Sequence, residues 1–207
     1  MRLDPEHHHR RSIRLKGYDY TQPGAYFVTI CTQNRACLFG EVVDGKMLLN
    51  DAGRMVQTAW DEIPVHYAGV AIDAFVVMPN HMHGIVVLVG AAPCGRPRLE
   101  APTLGQAQGP APTIAMSLPD VVHRFKTMTT KRYADGVKQR GWSPFPGRLW
   151  QRNYYEHVIR DTKCLNSIRQ YIADNPAHWA LDRENPVGPT HTAPLRSAGA
   201  QEEPWRI

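Results

Sequence analysis

The chain is poor in the features that most often define a small protein at first sight. It has only four cysteines in 207 residues (Cys31, Cys37, Cys94, Cys164), and no two stand in C-x-x-C spacing. A disulfide framework or a cysteine zinc site is therefore not expected, and the thiols read as reduced, cytosolic side chains. Its apolar runs, such as 84–88, fall far short of the roughly 20 residues that a membrane helix needs. The N-terminal MRLDPEHHHRRS carries charge but no apolar core of a secretory signal. Neither G-x-G-x-x-G nor G-x-x-x-x-G-K-[ST] occurs, so no nucleotide-binding loop is indicated. There are no internal repeats. These absences point to a cytoplasmic chain with no membrane partner.

What remains is ordinary globular material, 43% hydrophobic and 21% charged, in a length that suits one domain. The net charge of +5 is unevenly spread. Residues 41–73 hold six acids against two bases, whereas 121–160 hold nine Lys/Arg against two acids. Trp142, Trp150, Tyr154 and Tyr155 lie inside that basic stretch. Cations meet phosphates and aromatic rings stack on bases, so the pattern fits a nucleic acid; a solvated helix face over core aromatics fits it too.

Residues 1–16 read as a basic arm, and 17–182 as the folded domain. A strand is expected over 26–32, a hairpin over 40–49 turning at Asp44-Gly45, and a helix from Asn50 or Asp51 through Ile63. Strands follow at 70–78 and 83–89. Residues 91–117 hold five prolines and three glycines with no apolar period, and read as a flexible insertion. Ser117 should cap a helix to about Tyr133, with loop over 136–147 and a short strand over 149–155. Thr162 should cap a last helix over 163–175, stopped by Pro176. Residues 183–207 read as a disordered tail. Two adjacent strands at 70–89 break βα alternation, so an α+β fold is expected: an antiparallel sheet with helices on one face.

The most informative segment is FVVMPNHMHGIVV, 75–87. His81 and His83 are two apart, so on a strand they share a face while Met82 points the other way. Paired imidazoles can hold a metal, usually with a third ligand. Two histidines serving a turn after Pro79-Asn80 is the plain alternative, and spacing alone does not choose. The missing parts exclude other H-x-H chemistries. Gly84, Ile85 and Val86 follow where some zinc hydrolases carry Asp-His, and the chain is too short for a barrel hydrolase.

With its flanks, this segment resembles a known family. MPNHMHG after an apolar strand resembles the HUH motif (His, bulky hydrophobic, His) of IS200-like single-tyrosine transposases. WQRNYYEHVIRD (150–161) and YIADNPAHW (171–179) resemble two further blocks of that family, in the same order. RRSIRLKGYDYTQPGAYFVTICTQNR (10–35) resembles the N-terminal block of its REP-associated tyrosine transposase branch. The resemblance covers roughly 10–182.

It implies a ferredoxin-like single domain in which His81 and His83 hold a divalent metal, Mg²⁺ or Mn²⁺. Tyr171 would attack a DNA phosphate, and Asn175 would be the third ligand. Helical spacing agrees, since positions i and i+4 share a face. The implied enzyme is a metal-dependent DNA strand transferase acting on single-stranded or hairpin DNA from short palindromic repeats, as monomer or homodimer. A non-catalytic nucleic-acid-binding module and a metal-dependent phosphodiesterase are the alternatives. Tyr154 and Tyr155 are rival nucleophiles that should face opposite ways. His157 is a possible accessory residue. Arg10, Arg11, Arg14 and Lys16 in the arm, with Arg124, Lys126, Lys131, Arg132 and Arg152, are the candidate phosphate contacts.

Overall fold

The computed structural model describes residues 15, 17–89 and 116–188. Arg10, Arg11, Arg14 and Lys16, and residues 91–115 of the expected insertion, lie outside them.

Among the described residues, six strands and four α-helices form in the order β1 (Gly24–Cys31), β2 (Gly40–Val43), β3 (Lys46–Leu49), α1 (Asp51–Asp61), α2 (Ile63–His66), β4 (Val70–Val77), β5 (His81–Leu88), α3 (Leu118–Arg140), β6 (Tyr155–Ile159) and α4 (Thr162–Asp174). A 3₁₀ segment, Asn175–Leu181, continues from α4. The main sheet is antiparallel with strand order β4-β5-β1-β6. β1-α1-β4 and β5-α3-β6 are two split β-α-β units, the plan of a ferredoxin-like α+β domain.

β1 alternates between two cores. Tyr26, Val28 and Ile30 join Trp60 of α1 and Val121, Val122 and Phe125 of α3 in one apolar cluster. Ala25 and Phe27 join Ile85, Ile159 and the α4 residues Leu165, Ile168 and Ile172 in the other. The expected helices on one face are thus the crossover helices α1 and α3. The terminal helix α4 corrects that picture: it lies on the opposite face, because its apolar stripe matches the odd-numbered side of β1.

Local chemistry explains where the expected boundaries hold and where they move. Asp44 and Gly45 both take positive φ (50° and 71°), as a tight hairpin turn requires. Asn50 caps α1 by accepting from Gly53 N, and Ser117 with Asp120 forms a capping box on α3. Asp161, not Thr162, caps α4 by accepting from Cys164 N. α3 runs beyond Tyr133 to Arg140. Gly136 does not end it; a Cβ there would stand 2.2 Å from the Trp142 ring, so the glycine makes room for the indole. The helix stops at Gly141, which takes the left-handed conformation (φ 69°). The strand expected over 149–155 begins only at Tyr155. Trp150 makes an isolated bridge to Thr32, and the carbonyls of 151–153 accept from Lys126 Nζ instead of joining a ladder. The expected tail boundary at 182 also moves, since Glu184 and Asn185 are buried.

Candidate metal and nucleophile site

Three neighbouring strands build the floor of the site on the α4 side of the sheet. His81 and His83 project from β5, opposite Cys31 and Thr29 of β1. Thr29 also faces Tyr155 of β6. Both histidines are buried, at 0% and 4% exposure. Their Nε2 atoms lie 3.1 Å apart.

Asn80 decides which His81 nitrogen is free. Its Nδ2 donates to the carbonyls of Arg35 (3.1 Å) and Glu184 (2.7 Å). Its Oδ1 must then face His81 Nδ1, 2.9 Å away. An amide oxygen only accepts, so His81 Nδ1 carries the proton and Nε2 presents a lone pair. Thr29 Oγ1 stands 2.8 Å from His83 Nδ1. A hydroxyl donates or accepts, so Thr29 suits either tautomer of His83. With Thr29 donating, His83 Nε2–H can bond His81 Nε2. With Thr29 accepting, both Nε2 lone pairs converge on one point, which is stable around a cation.

Burial keeps both rings neutral. Desolvation lowers the pKa of His81, against the opposing pull of Asp182 and Glu184. It lowers that of His83 further, helped by His81. Neutral imidazole is the metal-binding form.

Tyr171 reaches the pair from α4. Its hydroxyl is 3.5 Å from His83 Nε2. Phe27 orders both rings: it stacks on His83 at 5.4 Å between centroids and meets Tyr171 edge-on at 6.0 Å. Asn175, just past α4, is 2% exposed. Its carboxamide reaches His81, yet Oδ1 has no hydrogen-bond partner among the described residues. A buried orphan oxygen is costly unless something binds it. The donor chemistry therefore fits a divalent cation held by His81, His83 and Asn175.

Sequence reasoning missed Asp182. Its Oδ2 is 3.8 Å from His81 Nε2, and donor atoms of His81, His83 and Asp182 all lie within 4.8 Å of one another. A carboxylate eleven positions after Tyr171 carries no spacing signal; only the 3₁₀ turn beyond Pro176 brings it back over His81, beside the Trp179 ring. Cys31 shares the His81 row but is not among the donor atoms that converge with the histidine pair; its Sγ lies 3.6 Å from Glu184 Oε2, and burial pushes its thiol up to about 12.

The other expected residues separate. Tyr154 is buried in the α3-side core, whereas Tyr155 faces the α4 side beside Phe27, as their adjacency required. His157 is one row from His83, with Nε2 3.5 Å from Cys164 Sγ. Arg124, Lys126, Lys131 and Arg132 ride on α3, across the sheet from Tyr171. Arg124 lies over the Tyr67 ring, Lys126 binds loop carbonyls, and Arg132 pairs with Glu62 at 2.6 Å. Lys131 and Arg152 are exposed.

The fold and the site thus define an α+β domain with a buried histidine pair under a tyrosine helix. No family model matches the chain. A Haemophilus influenzae protein that is itself uncharacterised is 42% identical over 182 residues, spanning 85% of this chain and 93% of that protein. A second H. influenzae protein, named "Putative REP-associated tyrosine transposase", is 25% identical over 158 residues, 76% of this chain and 73% of that protein. A solved structure of a REP-associated tyrosine transposase bound to a REP hairpin aligns with a TM-score of 0.49 and 21% identity, over 79% of this chain and 72% of that one. The chain belongs to one family with the first of these proteins. The resemblance to REP-associated tyrosine transposases read from four sequence blocks is matched by the second. No described helix is long and apolar enough to cross a membrane.

Proposed function

We propose that this protein cleaves and rejoins single-stranded, hairpin-forming DNA, with Tyr171 as the nucleophile. The observation that carries the reading is the Tyr171 hydroxyl 3.5 Å from His83 Nε2, over a histidine pair whose neighbour Asn175 offers an unbonded oxygen. The similarity to a protein of the REP-associated transposase name supports it.

The hydroxyl oxygen of Tyr171 would form a bond to a backbone phosphorus. The bond from phosphorus to the 3′ oxygen breaks, that oxygen takes up a proton, and the tyrosine loses its own. The products are a 5′-phosphotyrosine and a free 3′-hydroxyl. One phosphodiester replaces another, so the step needs no ATP and reverses when a 3′-hydroxyl attacks. An ordinary tyrosine hydroxyl titrates near about 10, so it needs help near neutrality. A divalent cation held by His81, His83 and Asn175 would polarise the phosphate and offset the charge that develops on it. Two imidazole donors favour Mn²⁺ over Mg²⁺. Phe27 fixes the tyrosine and His83 rings relative to each other. Exposed Lys131 and Arg152 remain candidates for phosphate contact, with the arm residues Arg10, Arg11, Arg14 and Lys16.

The test is a covalent adduct. Hairpin DNA with Mn²⁺ should give a protein–DNA species that survives a denaturing gel and vanishes in Tyr171→Phe. Cleavage without an adduct would mean a hydrolytic phosphodiesterase, and hairpin binding with neither would mean a non-catalytic binding module.

A further inference from the structure

We infer that Asp182 is a ligand of the same metal, so that the ligand set carries a negative charge the histidine motif does not provide. The inference rests on the metal-dependent reading above for the ion and adds the donor.

The two oxygens of Asp182 have different surroundings. Oδ1 accepts from Glu184 N at 2.6 Å, which anchors the side chain. Oδ2 is left facing His81 Nε2 at 3.8 Å, in a side chain only 8% exposed. Asn80 has already fixed the His81 proton on Nδ1. Oδ2 and Nε2 therefore meet as two electron-rich atoms with no proton between them. Asn175 Oδ1 is a third such atom, buried and without a partner. A cation would satisfy all three atoms at once, and a water would satisfy them less well because it has only two protons to give.

Glu184, two residues on, is the internal contrast. Its Oε2 accepts from Arg35 Nε at 2.7 Å, and its Oε1 lies 3.2 Å from Arg183 Nε. Two guanidiniums already answer its charge. The Asp182 carboxylate turns its second oxygen to the histidines instead. A donor set of two imidazoles, one carboxamide and one carboxylate suits a borderline divalent ion such as Mn²⁺. It also lets the chain hold that ion before any phosphate arrives, because ligand charge raises affinity for a divalent cation.

The experiment titrates Mn²⁺ into the full chain without DNA, reading the free ion by electron paramagnetic resonance. The native chain should bind one Mn²⁺. Asp182→Asn, which keeps an acceptor for Glu184 N, should weaken binding by about tenfold or more, with an unchanged thermal melt. Glu184→Gln should stay within about twofold. As a direct probe that does not depend on the Asn variant folding, Asp182→Cys with Cd²⁺ should show an ultraviolet sulfur-to-metal absorption absent from the native chain. Native-like Mn²⁺ affinity in Asp182→Asn overturns the inference. So does equal weakening by both carboxylate variants, absence of Mn²⁺ uptake without DNA, or absence of the sulfur band. Failure of the adduct test with Asp182-dependent binding intact would sink the catalytic reading alone.

Discussion

Arg169 of α4 grips Asp73 of β4 with two parallel hydrogen bonds, Nε to Oδ1 at 2.9 Å and Nη2 to Oδ2 at 2.6 Å, across 96 residues of sequence. Asp73 sits where the β4–β5 register shifts, between Ile72 and Phe75. The bulge turns a carboxylate toward the helix, and Arg169 lies two residues before Tyr171. The pair is partly exposed, so it contributes about 1 kcal/mol or less to stability. Its larger effect should be on aim. Arg169→Ala should slow adduct formation by about tenfold or more, while urea unfolding shifts little. Exchanging the charges, Asp73→Arg with Arg169→Asp, should recover part of the rate. Equal adduct rates in native chain and Arg169→Ala would remove the clamp from the account.

Gly84 follows His83 for reasons of packing. A Cβ there would stand 2.5 Å from Cζ2 of the fully buried Trp60. Gly84→Ala should therefore cost about 1–3 kcal/mol, read as a lower urea midpoint with unchanged slope. A native midpoint would show that Trp60 has room to move.

The buried histidines give stability a pH dependence with a definite sign. Unfolded imidazoles titrate near about 6.5, and burial lowers the pKa of both in the fold. Above about pH 6.5 neither state takes up protons at these rings, so they add no slope. Below it the unfolded chain binds protons that the folded rings refuse. Metal-stripped protein should thus lose stability as pH falls from about 6.5 toward the lowered folded values. Double replacement by glutamine should flatten that part of the profile, measured by urea melts across the range. An unchanged slope would place the pH dependence on other groups.

Lys126 separates structural from DNA-binding cations. Its ammonium donates to three successive loop carbonyls, of Gln151, Arg152 and Asn153. Lys126→Met should cost about 1–3 kcal/mol of stability and leave the salt dependence of hairpin binding unchanged. Exposed Lys131 should behave in the opposite way if it meets a phosphate, reducing the log–log salt slope when removed.

Arg124, Lys126, Lys131 and Arg132 show what sequence could and could not convey. Their clustering was plain from the chain, but not that α3 carries them away from Tyr171, because a one-dimensional charge count has no faces. The histidine pair was legible, since strand alternation is strict, and so was the 171/175 spacing on a helix. Asp182 was not, because its approach depends on how a proline-containing 3₁₀ turn folds back. The α4 face was missed for a related reason: Leu165, Ile168 and Ile172 mark a buried stripe without saying which side of the sheet receives it. Gly136 was read as the start of a loop, whereas it lies inside α3 and admits Trp142.

The pieces of the site lie far apart along the chain. His83 and Tyr171 are 88 residues apart, and the Asn80–Glu184 bond that orients His81 spans 104. During synthesis the β5 histidines leave the ribosome well before the segment that supplies Tyr171, Asn175 and Glu184. A nascent chain can pair β1 with β5 at that stage, but it lacks Tyr171, the proposed nucleophile, and the Glu184 carbonyl that helps Asn80 fix the His81 proton. On the proposed reading, a half-made molecule is therefore chemically silent until α4 and the turn after it dock on the sheet.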